Sequence, residues 1–137
     1  MIMMIKTKAI IELLGGPEEY IKATINELIE KMKKEDGVKI VSEAISDTKK
    51  TGKLWSIFVD LDLEINELSR LMDICFDYMP SSVEIFEPAK SELTAEYSTN
   101  LLNDLLARLH QYNMLVKNLH AENMLMKKKL NEQQTKD

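Results

Sequence analysis

The chain has 137 residues, 45% of them apolar and 30% charged, with one cysteine and a formal net charge of −5. These values fit a folded domain with an appendage and exclude an internal disulfide framework or a CxxC site. No run approaches the roughly 18 apolar residues that span a bilayer.

Residues 3–14 alternate, with Ile5, Thr7, Ala9, Ile11 and Leu13 on one side and Lys6, Lys8, Ile10, Glu12 and Leu14 on the other. That period predicts a strand, broken by Gly15-Gly16. Pro17 is expected in the first turn of a helix, with Glu18 and Glu19 at its positive end. Ile21, Ile25, Leu28 and Met32 form the stripe of that helix, Lys33 and Lys34 its last turn, and Gly37 its stop. Residues 38–46 predict a strand with Val38, Ile40 and Ala44 on one face, and Ser46 to Gly52 a polar turn. Residues 53–65 give the clearest strand: Trp55, Ile57, Val59, Leu61, Leu63 and Ile65 on one face, Asp60, Asp62 and Glu64 on the other. Asn66 is the expected cap of a second helix, whose stripe is Leu68, Leu71, Met72, Cys75, Phe76 and Met79, ending at Pro80. Ser82 to Glu87 reads as a short strand with Val83 and Ile85 inward. Pro88 breaks it, Ser91 is the expected cap of a long helix reaching about Leu130, and Asn131 to Asp137 is an expected frayed end.

The predicted class is α+β: a ferredoxin-like βαββαβ two-layer sandwich over residues 1–90, followed by a long C-terminal helix over 91–137. Both crossover helices are expected on one face of a four-stranded antiparallel sheet. Residues 1–90 carry twelve Lys and Arg against seventeen Asp and Glu, whereas residues 91–137 carry six of each. An acidic head is poorly suited to phosphate backbones or anionic lipid, so neither nucleic acid nor membrane is an expected partner. Met1 to Lys6 lacks the charged region and cleavage site of a signal peptide, which makes the cytoplasm the expected location.

The long helix carries the strongest pattern. Leu102, Leu105, Leu109, Tyr112, Val116, Leu119, Asn123, Met126 and Leu130 recur in alternating steps of three and four. Their period of about 3.5 is that of a coiled-coil seam rather than of a helix lying on a globular core. Asn123 falls at an a position, where a lone amide selects two parallel strands in fixed register. Leu101, Leu106 and Leu115 flank the seam in its N-terminal half. Glu122 and Lys127 flank it later and are placed to pair between chains.

On the helix-free sheet face, Lys6 and Lys8 are expected beside Asp60 and Asp62. Ile10, Leu54, Phe58 and Phe86, with Val41 and Ile45, form an expected apolar contact patch that needs a cover. The cover is expected to be a second subunit's sheet or the first turns of the long helix. Alternation alone explains Asp60, Asp62 and Glu64 as a solvated face, ahead of a metal or acid–base site. Phe58 on a central strand raises RNA stacking, but Trp55 falls on the covered face and the acids repel phosphate. Gly15-Gly16-Pro17 lacks phosphate-loop spacing, and Thr48 to Lys53 reads as a hairpin tip. Cys75 lies on an apolar stripe, and His110 and His120 fall on different faces of the long helix. No catalytic residue, metal ligand or cofactor is therefore assigned. The residues ahead of the heptads are not basic, which excludes a basic-region zipper.

The function expected is that of a non-enzymatic homodimeric scaffold, presenting two α+β heads on a coiled-coil stalk to another protein. A small-molecule-binding regulatory domain with its ligand at paired sheet faces is the alternative, followed by a metal-dependent enzyme using the acidic face.

Overall fold

The computed structural model describes residues 4–135. Met1 to Met3, including the start of the expected first strand, and Lys136 and Asp137 of the expected frayed end lie outside the described residues. The chain forms two compact units, the first ending at Ser91 and the second beginning at Glu92.

The first unit is α+β. Its elements are β1 (Ile5–Gly15), α1 (Glu18–Lys33), β2 (Val38–Ile45), β3 (Lys49–Thr51), β4 (Leu54–Ile65), α2 (Leu68–Tyr78) and β5 (Ser82–Glu87). The strands form one antiparallel sheet in the order β2-β4-β1-β5, with β3 added to β4. β1 and β4 pair over their whole lengths, from Ile5 opposite Ile65 to Gly15 opposite Trp55. Alternation sends Ala9, Ile11, Ile57, Val59, Leu61, Leu63 and Ile65 to one side, where all are buried. Ile21, Ile25, Ile29 and Met32 of α1, with Leu71, Ile74 and Tyr78 of α2, close over them. Each such aliphatic side chain removed from water contributes about 1.5–3 kcal/mol, which is what holds the layers together.

Local expectations change in both units. The polar turn from Ser46 to Gly52 contains β3, because Gly52 at φ +64° supplies the first central residue of a two-residue hairpin loop. In β2 the register shifts between Ile40 and Ser42. That bulge flips the strand's later residues, so Ala44, opposite Asp60, joins the open face and Ile45, opposite Val59, joins the helix side. Asn66 does not cap α2. It packs on Gly37, whose φ is +75° and where a Cβ would come within 2.6 Å of the Asn66 side chain, and Glu67 holds the cap position.

The buried stripe of α2 runs through Leu71, Ile74 and Tyr78 rather than Met72, Phe76 and Met79. Met79 has already left the helix in a left-handed conformation, φ 45°, and is exposed. Pro17 stands one position before the first turn of α1, its carbonyl accepting from Tyr20 and Ile21.

The second unit contains α3 (Ala95–Gln134), a helix of 40 residues and hence about 60 Å long. Its cap is Thr94 rather than Ser91: Thr94 Oγ1 accepts from the Tyr97 amide at 3.0 Å. None of its residues is buried.

Candidate functional site

An α-helix of 40 residues has no packing of its own to supply, so its apolar side chains define the first candidate surface. Leu102, Leu109, Val116, Leu119, Met126 and Leu130 lie along one face and are exposed, Leu102 at 58% and Val116 at 63%. Tyr112 and Asn123 on the same line are exposed, and Leu105 is half-buried. Leu106 and Leu115 widen the stripe. Met114, Met124 and Leu125 are also exposed, away from the seam, and seam counting did not pick them out.

The second candidate surface is the helix-free side of the sheet. Phe58 stands opposite Glu12, with Ile10 and Leu14 diagonal to it, and Leu14 opposite Ser56 leads on toward Leu54. Ile10 is half-buried, whereas Leu54, Phe58 and Leu14 are exposed. Leu14 therefore belongs to the row that was read from Ile10, Leu54 and Phe58. Phe86 does not: it lies four residues along β5 from Ser82, the neighbour of Ile10. Val41 shares the end of the face where Phe86 lies, and Ile45 has moved to the helix side.

The charges at that end also differ in detail from expectation. Lys8 is opposite Asp62, at 3.9 Å from Oδ1, but Asp60 is opposite Ile10. Lys6 is opposite Glu64 and pairs with Glu87 of β5 at 3.3 Å. Exposed pairs of this kind contribute only a few tenths of a kcal/mol, up to about 1. Among the described residues, no group of three or more His, Cys, Asp or Glu could hold a metal ion.

A third cluster escaped sequence reasoning because its members come from two stretches more than thirty residues apart. Arg70 of α2 forms a charge-assisted hydrogen bond with Glu35, donates from Nε to the Asp36 carbonyl at 2.7 Å, and donates from Nη1 to Asp73 at 3.2 Å. Tyr78 donates its hydroxyl to the other oxygen of Glu35 at 2.9 Å, and Lys31 lies 5.5 Å from its ring centre. The Arg70 hydrogen bond, then that of Tyr78, holds the Glu35 carboxyl below the usual carboxylate range. Burial, with Glu35 beside it, pushes the Tyr78 phenol upward. Every charge in the group has a partner, so its chemistry is that of a clasp joining the α1–β2 turn to α2.

Cys75 is half-buried and desolvation raises its thiol pKa, the opposite of an activated nucleophile. Gly15-Gly16-Pro17 leads into α1, where the Glu18 carboxylate accepts from Thr48 at 2.6 Å. Lys50 of the basic loop lies over the half-buried Trp55. His110 and His120 are exposed on α3. No helix is long and apolar enough to cross a membrane among the described residues.

Comparison with known proteins returns one family model, described as the MJ0538 family, over residues 6–135. No curated protein and no solved structure matches.

Proposed function

The chain belongs to the MJ0538 family, and we propose that it is a non-enzymatic, cytoplasmic homodimeric interaction protein. Two copies pair through α3 as a parallel coiled coil, so that two α+β heads of ferredoxin-like type are held in one assembly and offered to another protein. One observation carries this reading: Leu102, Leu109, Val116, Leu119, Met126 and Leu130 of the apolar seam are all exposed. A stripe that long at a period of 3.5 fits a second copy of itself in register, with Asn123 meeting Asn123 and Glu122 reaching Lys127. The family match supports the reading further. It crosses both units, so the helix is part of what members share rather than a private tail.

The test is the mass of the full chain by size-exclusion chromatography with light scattering. A dimer at micromolar concentration supports the reading, and a monomer overturns it. Asn123→Val is expected to raise the melting temperature of the helix and to admit trimers or mixed orientations, because the buried amide trades stability for register. A lower melting temperature would remove Asn123 from the seam.

A further inference from the structure

Two β-bulges converge on one place on the open side of the sheet. In β2 the extra residue is Val41, and the shift carries Ser42 onto the open face, where its hydroxyl donates to Asp62 Oδ2 at 2.7 Å. In β5 the extra residue is Phe86, and the shift carries Glu87 onto the same face against Lys6. Bulges re-aim side chains and are over-represented beside functional sites. These two sit on the outer strands at one level, flanking the cross-strand neighbours Lys6–Glu64 and Lys8–Asp62 of the inner strands. The result is a depression of about 250 Å³ lined by Lys6, Lys8, Val41, Asp62, Glu64 and Phe86.

The charges in this depression do not neutralise one another fully. Lys8 Nζ stops 3.9 Å from Asp62 Oδ1, beyond hydrogen-bond reach. That oxygen is hidden from solvent and accepts no hydrogen bond among the described residues, so it is closed to a ligand as well. Glu64 makes no ion pair among the described residues. Glu64 is half-buried and lines the depression, so it is the carboxylate left open to a ligand's donor.

We propose that the depression binds a small zwitterion, an α-amino acid with an apolar side chain. Its ammonium meets Glu64, its carboxylate meets Lys8, and its side chain packs toward Phe86 on the neighbouring strand β5. A simple anion would face the two carboxylates and a simple cation the two ammonium groups, so only a ligand carrying both signs satisfies the lining. The volume lies below the roughly 300–1,000 Å³ of sites for drug-sized ligands, which limits the occupant to a molecule of this size. The proposal is independent of the coiled coil.

The test titrates the full chain with free leucine, isoleucine, valine, methionine and phenylalanine. It follows melting temperature and backbone amide resonances. At least one of the five is expected to raise the melting temperature and to move the amides of Lys8, Val41, Asp62 and Phe86. The matching carboxylic acid without the amine, and the amine without the carboxylate, are each expected to bind at least about tenfold more weakly. Lys8→Met and Glu64→Gln, both outside the core, are expected to fold as the parent does and to lose the response. Silence toward all five at roughly 10 mM, which saturates any site with Kd below about 1 mM, overturns the proposal. So does a response that survives both substitutions, or an analogue with one charge that binds equally well.

Discussion

The two units of this chain spend their leucines and isoleucines differently. In the first, Ile11, Ile25, Ile29, Leu61 and Leu63 are all buried by the same unit's sheet and helices. In the second, Leu102, Leu109, Leu119 and Leu130 are exposed along a single helix. The number of apolar residues does not separate the two cases; their period does. Alternation at two and a stripe at 3.6 let a sheet and two helices satisfy one another inside one chain. A stripe at 3.5 matches a second helix of the same period, which on the proposed pairing comes from another copy of the chain. Stability of the first unit should therefore be a property of one molecule, and that of the second a property of concentration.

The sharpest way to break this contrast is Leu109→Asp with Leu119→Asp. Both charges fall on the seam, and in a dimer each is doubled. The expected outcome is a halved mass by light scattering, with the amide spectrum of the α+β unit retained. Next in size is Ile25→Ala in α1. It removes a wholly buried side chain and is expected to cost about 2–5 kcal/mol in urea unfolding, at any protein concentration. A concentration-dependent loss there would mean that the head, too, is stabilised between chains.

The clasp at Glu35 gives a smaller, pH-dependent effect. Its carboxyl titrates lower in the folded state than in the unfolded one, so its contribution is complete above the ordinary value near pH ~4.3. The contribution disappears as pH falls through the folded-state value. Glu35→Gln is expected to cost about 1–3 kcal/mol at neutral pH and to make the acid limb of the stability curve shallower. Tyr78 has the opposite sign: its folded pKa is raised, so its contribution is intact below pH ~10 and lost above it. Tyr78→Phe should flatten the alkaline limb. The smallest expected effect is a gain. Thr7 is fully buried and its hydroxyl has no hydrogen-bond partner among the described residues. Thr7→Val keeps the shape and removes the orphan group, for an expected gain of about 1 kcal/mol in the same unfolding assay.

Much of the fold was legible because its signals are local. Residues 5–15 and 54–65 alternate cleanly, and α1 runs between Pro17 and Gly37. What failed was also local in sequence but decided elsewhere. The flips of Ala44 and Ile45 come from one extra residue in β2, whose presence is fixed by how Ile40 and Ser42 register against Leu63 and Asp62 of β4. Asn66 looks like a cap because a cap needs only its own neighbours, whereas its contact in the fold is Gly37, nearly thirty positions earlier. The rotation of α2's buried stripe onto Ile74 and Tyr78 likewise follows from which side meets the sheet. On the open face, the row through Ile10 and Phe58 was readable from alternation. The separation of Phe86 from that row required the order β4-β1-β5 and the second bulge.

The sequence alone determined the periods: two for the strands, 3.6 for α1 and α2, 3.5 for α3, and with them which residues seek cover. Periodicity is written into consecutive positions and needs no knowledge of partners. Only the tertiary structure decided register, and register brought together Arg70 with Glu35, Ser42 with Asp62, and Phe86 with Val41 around four charges. Those groupings join residues far apart along the chain, and their geometry is set by hydrogen-bonded strand pairing and bulges that no single segment encodes.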